Sequence, residues 1–310
     1  MNDRRMIGVE EASVEIGLVG VGTMGTLVVS TLVKTDYHVV AYDVNPHALQ
    51  RAQDLGAVPV SHPQNVAEQT EIVLLVLPGP PQVEAVVVGD HGLLAGARPG
   101  QVIVDMSTVD PATTRRMGAR AEEMGVHYLD APILGRPSAL GGWVLPVGGD
   151  AAVVARCSPI LEELAHKVIH VGPLGAGHTL KLLNALMFSA INAITAEMMA
   201  ISVKAGLSPE VLFETIAESQ AATVSGLFKE VGAKIVARDF TPTFPISLLC
   251  KDNGLAIAMA KACDAPPVLA NTVQVLNELA SARGLGAEDT SALVKVYEAL
   301  LDTEWDDSQG

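Results

Sequence analysis

The chain of 310 residues is short of aromatic side chains, cysteine and positive charge, and each shortage excludes something. Aromatic residues make up 4% of it, against 49% hydrophobic residues in all. Its core is therefore built from Val, Leu, Ala and Ile, a composition suited to parallel strands covered by helices. Cys157, Cys250 and Cys263 are odd in number and lack the short spacing of metal ligands, so neither a disulfide framework nor a metal site is expected. A reducing cytoplasm fits that usage. Lys and Arg number 20 against 35 Asp and Glu, a net charge of −15. Such a field repels phosphate backbones and anionic lipid, so no nucleic-acid or membrane partner is expected. An anionic small substrate would need a local cationic pocket.

Long unbroken apolar runs are missing too. Ile16 to Val33 is uncharged, but glycines interrupt it and Glu10, Glu11 and Glu15 precede it. A secretory signal has a basic start and a continuous apolar core instead. Leu182 to Ala196, the longest uncharged stretch of the C-terminal half, is too short to span a bilayer.

What is present begins with IGLVGVGTMG at Ile16 to Gly25, an apolar run opening into Gly20, Gly22 and Gly25, with Thr23 and Met24 before the last glycine. At this spacing a strand turns into a helix around a dinucleotide pyrophosphate. Gly20 permits the tight turn, Gly22 lets backbone approach the phosphates, and Gly25 lets the helix pack on its strand. Amides at the helix start then face the anion. A second apolar run, Tyr37 to Tyr42, ends in Asp43. A carboxylate there accepts both ribose hydroxyls of NAD and repels the 2′-phosphate of NADP, so NAD is favoured and NADP stays possible. The other reading of Asp43 is a solvated turn residue.

From Val14 to about Val171, short apolar runs alternate with amphipathic stretches, as repeated βα units require. Strands are expected at Glu71 to Leu77, Gln101 to Met106 and His127 to Ile133. Helices are expected at Asn45 to Leu55, Pro81 to Val88 and Pro111 to Met124. After Gly177 only helices are expected: His178 to Lys204 as one helix of about 40 Å, starts at Ser208 and Thr223, Pro245 to Ala262, Pro267 to Ala282, and a last one from Glu288. The predicted fold class is α/β: an N-terminal Rossmann-type, doubly wound, mostly parallel sheet, then an all-α C-terminal domain joined by a long interdomain helix. The expected boundaries are a flexible leader at 1–13, a dinucleotide-binding domain at 14–175, a helical substrate and dimerisation domain at 176–302, and an acidic tail at 303–310. A helix as apolar as His178 to Lys204 is covered by other helices, a second subunit's among them, so a homodimer or larger homo-oligomer is expected.

Gly172 to Asn184, GPLGAGHTLKLLN, sets Lys181 and Asn184 three residues apart on one helical face. A lysine in so apolar a helix either snorkels to an ion pair or serves a purpose, since an unpaired buried ammonium costs several kcal/mol. Residues alone leave these readings even. Four segments in series, however, resemble the β-hydroxyacid dehydrogenase family around 3-hydroxyisobutyrate dehydrogenase. These are the glycine turn, Asp105-Met-Ser-Thr108 with Pro111, Gly172 to Asn184, and Lys251-Asp-Asn-Gly-Leu-Ala256 behind Asp239-Phe-Thr-Pro-Thr-Phe244.

The resemblance implies an NAD(P)-dependent oxidoreductase acting on a small anionic 3-hydroxy acid or its semialdehyde. Lys181 becomes the general acid/base at the substrate oxygen, and Asn184 orients that oxygen or the adjacent acid group. Leu77, Pro78, Gln82 and Thr108 contact the nicotinamide half of the cofactor, Lys251 closes over its ribose, and Asp252 supports the closed state on the substrate side. Alternatives stay open: Thr108 as an ordinary strand-end hydroxyl, and Lys251 as an ion pair with Asp252 or Asp239. An imine reductase-like enzyme and a non-catalytic nucleotide sensor are the competing functions. The former usually lacks a lysine at position 181, and retention of Lys181, Asn184 and Lys251 together speaks against the latter. Phosphogluconate dehydrogenases also resemble Gly175 to Lys181, but have a longer helical domain.

One loop departs from the family pattern. Asp130-Ala-Pro-Ile-Leu-Gly-Arg136 stands where members usually read D-A-P-V-S-G-G. Leu134, Gly135 and Arg136 thus form the expected substrate contacts, with a guanidinium in place of a serine hydroxyl. Such a planar fork grips carboxylate, sulfonate or phosphonate. Arg136 otherwise turns outward to Asp130 or Asp150. Trp143 either walls the pocket or packs.

Overall fold

The computed structural model describes residues 15–35, 37–219, 221 and 223–303. The predicted leader, and all of the acidic tail but Thr303, lie outside them. The chain divides into two compact units, one ending at His178 and the next starting at Thr179.

The first unit is a βα succession. It runs β1 (Glu15–Val19), α1 (Thr23–Lys34), β2 (His38–Tyr42), α2 (Pro46–Asp54), β3 (Val58–Pro59), α3 (Pro63–Gln69), β4 (Ile72–Leu75), α4 (Pro80–Val88) and α5 (Leu93–Gly96). It continues with β5 (Val102–Asp105), α6 (Pro111–Glu122), β6 (His127–Asp130), β7 (Val144–Gly148), α7 (Ala151–Leu164) and β8 (Lys167–Gly172). The eight strands lie in the order β3-β2-β1-β4-β5-β6-β7-β8. All pairs are parallel except β6 with β7. This is the doubly wound order, with its crossover reversing beside β1. It bears out the predicted class of a mostly parallel sheet. One apolar cluster gathers Ile16, Leu18, Val28, Leu32 and Leu145; a second gathers Val19, Val73, Leu75, Val83 and Ile103. Residues of opposite parity on β1 and β4 thus enter different clusters, as strands buried on both faces must.

Six elements went unpredicted, the four-residue α5 among them. β3 has two residues and one is proline. β7 carries Pro146, α7 carries Pro159 inside its helix, and β8 exposes Lys167, Ile169 and His170. Each weakens the pattern from which strands and helices are read. α3 is a seven-residue helix started by Pro63, too short to show periodicity.

Helices dominate the second unit. α8 spans Ala176–Lys204, beginning two residues before the predicted start. Then follow α9 (Pro209–Glu218), α10 (Gly226–Val236), α11 (Ile246–Ala262), α12 (Val268–Ala280) and α13 (Val294–Leu301). The helix expected from Thr223 starts at Gly226, because the Ser225 hydroxyl accepts from the Phe228 amide and caps it there. The last helix expected from Glu288 is preceded by a 3-10 turn, Thr290–Leu293, capped by Asp289. By length and composition α8 could cross a bilayer. Its buried side nevertheless carries polar groups met inside the second unit: the Asn192 amide donates to the Thr290 carbonyl at 2.9 Å.

Candidate functional site

At the β1–α1 turn the three glycines meet three different constraints. Gly20 has φ of +94°, and a Cβ there would run into the Val76 carbonyl. At Gly25 a Cβ would overlap the Gly20 carbonyl. Gly22, by contrast, has nothing within 4 Å of where a Cβ would stand. It is also the N-cap of α1, and no side chain caps that helix. An N-terminus left open, with its amides unclaimed by side chains, suits an anion. Thr23 is exposed and Met24 half-buried beside it.

Asp43 follows the end of β2 and reaches back to the same turn. Its Oδ2 accepts from the Val21 amide at 2.7 Å and its Oδ1 from Asn45 at 2.8 Å. Both bonds fix the carboxylate while leaving lone pairs for a further donor. The open cradle beside Gly22 and the anchored Asp43 fit a dinucleotide.

A second group of expected residues lies beyond β4 and β5. The Leu77 amide donates to Ser107 Oγ at 3.0 Å, tying the Leu77–Pro78 turn to the segment that carries Thr108. The Ser107 backbone amide donates to Asp105 Oδ1 at 3.0 Å, and the Tyr128 hydroxyl donates to Asp105 Oδ2 at 3.1 Å. Burial pushes the Tyr128 phenol well above its ordinary pKa, and the Asp105 charge adds to this. Thr108 is half-buried, Pro78 exposed, and Gln82 exposed on the first turn of α4.

In the departing loop, Leu134 and Val144 exchange two backbone bonds, 2.9 and 3.1 Å. Trp143 is fully buried, and its Nε1 donates to the Arg136 carbonyl at 2.8 Å. Packing is therefore the role of Trp143, and a Cβ on Gly135 would overlap its ring. Arg136 is half-buried. Asp150 caps α7, and Asp130 is fully buried.

Asp130 and His178 were not singled out in the sequence. Asp130 Oδ1 accepts from the Gly175 amide at 2.7 Å and Oδ2 from the His178 amide at 2.7 Å. The carboxylate thus closes the N-terminus of α8. The His178 ring, fully buried, reaches the Ser107 carbonyl through Nε2 at 3.1 Å and the Thr114 hydroxyl through Nδ1 at 2.7 Å. No local signal could have revealed either, since the partners are 45 to 71 residues away in sequence.

The second unit holds Lys181, Asn184, Lys251 and Asp252. Lys251 Nζ pairs with Asp252 Oδ1 at 2.9 Å, so the ion-pair reading of Lys251 describes its arrangement here. Asp252 is buried on α11. Lys181 is half-buried on α8, and Asn184, three residues on, is exposed. Burial pushes the Lys181 pKa below the ordinary lysine value, the Asp252 carboxylate opposes that, and the Lys251 charge reinforces it. Among the described residues no cluster of three or more His, Cys, Asp or Glu could hold a metal.

A doubly wound sheet with an open glycine turn and an acid after the second strand defines a dinucleotide-binding fold. Comparison with known proteins narrows the class. Residues 15–172 match the NAD-binding domain of 6-phosphogluconate dehydrogenase, and residues 175–297 match the NAD-binding domain of NADP-dependent 3-hydroxyisobutyrate dehydrogenase. The chain is 35% identical to 2-(hydroxymethyl)glutarate dehydrogenase of Eubacterium barkeri over 94% of its own length and 97% of that protein's. It is 31% identical to L-threonate dehydrogenase of Cupriavidus necator, over 92% and 96%. The structure of Mycobacterium tuberculosis 3-hydroxyisobutyrate dehydrogenase with L-serine superposes with a TM-score of 0.84 at 27% identity, covering 92% of this chain and 99% of that one. The chain belongs to the β-hydroxyacid dehydrogenase family, of the 3-hydroxyisobutyrate dehydrogenase type. It is an NAD(P)-dependent dehydrogenase or reductase acting on CH–OH groups.

Proposed function

We propose that this enzyme interconverts a small anionic 3-hydroxy acid and its semialdehyde, with Lys181 as the general acid and base. One observation carries the reading: a lysine on α8 whose pKa is lowered by burial, one turn from a polar amide at Asn184. An amine with a depressed pKa can take the alcohol proton in oxidation and return it to the carbonyl oxygen in reduction. When bound, the nicotinamide supplies the hydride acceptor or donor. Asn184 holds the same substrate oxygen or the neighbouring acid group, Arg136 grips the anionic head group with Leu134 and Gly135 beside it, and Asp252 supports the substrate side. Gly20 to Gly25 receive the pyrophosphate, Leu77, Pro78, Gln82 and Thr108 the nicotinamide half, and Lys251 its ribose after leaving its pair with Asp252.

The finer assignments follow from the same reading. Asp43 favours NAD over NADP through its charge. Residues 14–175 form the dinucleotide-binding domain and 176–302 the substrate and dimerisation domain. A homodimer or larger homo-oligomer is supported by the exposed Leu183, Met187, Ile194 and Ile201 on α8, and a cytoplasmic setting by the free Cys157, Cys250 and Cys263. The test is Lys181→Ala. Turnover of 3-hydroxy acids falls about a hundredfold or more, while NADH binding, followed by its fluorescence, stays within about twofold because the lysine is not a binding group for the dinucleotide. Near-normal turnover would remove Lys181 from the chemistry.

A further inference from the structure

His178 is absorbed by no step above, yet it is a fully buried polar ring with both nitrogens engaged. The Ser107 carbonyl can only accept, so Nε2 carries a proton and donates to it. Nδ1 meets the Thr114 hydroxyl at 2.7 Å, and that hydroxyl is itself held by the Asp110 carbonyl at 3.1 Å. The backbone amide of the same residue donates to Asp130. One residue thus ties the first turn of α8 to the β5–α6 segment, to α6 and to the end of β6. An apolar side chain would fill this volume without the desolvation cost of an imidazole. What the ring adds is direction, because two bonds at opposite edges fix the rotation of the turn that bears it.

Ser107 is also the residue whose hydroxyl holds the Leu77 amide, and Thr108 follows it. Lys181 stands three residues beyond His178 on the same face of the same helix. We propose that His178 is a positioning residue for the reaction: through the Ser107 carbonyl and the Thr114 hydroxyl it sets the first turn of α8, and with it the direction in which Lys181 presents its ammonium. The inference rests on Lys181 being the acid–base group. A misplacement of about 1 Å in a reacting group costs on the order of a hundredfold in rate, so a ring that removes rotational slack has a measurable kinetic value.

A double-mutant cycle tests it, with His178→Leu, Lys181→Ala and the pair, followed by kcat, the KM for NADH and thermal melting. His178→Leu lowers kcat about tenfold and leaves the KM for NADH within about twofold. His178→Gln, which keeps a donor and an acceptor, recovers most of the loss. In the Lys181→Ala background His178→Leu has no further effect, because residues acting through one group are not additive. A purely structural role predicts instead the same fractional loss in both backgrounds, or a fall in melting temperature with unchanged kcat. Either overturns the proposal. Full turnover in Lys181→Ala alone would sink the acid–base reading itself, a distinct result. Should His178→Leu fail to fold, His178→Asn, whose shorter amide cannot reach both partners, replaces it with the same expected outcomes.

Discussion

Two helices begin within the first unit in opposite ways. At the start of α1 the N-cap is Gly22, no side chain accepts from the first turn, and the space beside the cap is open. At the start of α8 the buried Asp130 carboxylate takes the amides of Gly175 and His178. A helix N-terminus attracts negative charge in either case. The difference lies in whether the chain supplies that charge itself. Where it does, the terminus becomes an anchor; where it withholds it, the terminus stays available for the phosphates of a cofactor.

The largest expected effect comes from emptying the filled terminus. Asp130→Ala leaves two buried amides without an acceptor and should destabilise the protein by about 3 kcal/mol or more, read as a lower denaturant midpoint. A midpoint unchanged from wild type would mean that the carboxylate is not an anchor.

Asp289 repeats the device in the helical unit. It accepts from the amides of Thr243, Phe244 and Ser291, and Lys234 lies 3.2 Å away. Although burial works the other way, these bonds, from Thr243 and Ser291 foremost, hold its pKa down at about 2 against 3.8. Since the folded value lies below the unfolded one, the stabilisation is complete above pH 4 and is lost as pH falls from about 4 to 2. It amounts to about 2 kcal/mol. Asp289→Asn should flatten the acid limb of stability over that window; an unaltered limb would assign it to other carboxylates.

The open terminus behaves in the converse way. Gly22→Ala adds a methyl group where the folded chain has room, so the melting temperature should hold. NADH affinity should nevertheless fall about tenfold, because the methyl projects where phosphate approaches. Loss of stability with unchanged affinity would reverse the roles assigned to the two termini.

These contrasts also explain what could be read from the sequence. Gly20, Gly22 and Gly25 are legible because each answers a local steric demand, and Asp43 because its distance from the turn follows from the βαβ unit. α8 was visible as a long apolar helix. β7, α7 and β8 were not, since Pro146, Pro159 and the exposed side of β8 blur the periodicity. Asp130, His178 and Asp289 were silent for another reason: most of their partners come from distant segments. Lys251 was legible both as a motif residue and as an ion-pair former with Asp252 or Asp239, and the structure shows the Asp252 pair.

The smallest effect concerns an anion held by a side chain instead of a backbone turn. Arg136 follows Gly135 in a loop whose backbone is fixed at its carbonyl by the Trp143 indole and closed by the Leu134–Val144 pair. Because Arg136 is half-buried, solvent screens part of its attraction, and a charge-assisted bond there is worth less than in a dry pocket. Arg136→Ala should therefore raise the KM of a carboxylate-bearing semialdehyde about fivefold and leave kcat nearly unchanged. The neutral methyl ester of the same compound gives the control, since it offers no charge to lose. An equal rise for acid and ester would place Arg136 with Trp143 as part of the loop's framework and move recognition of the head group to another cation.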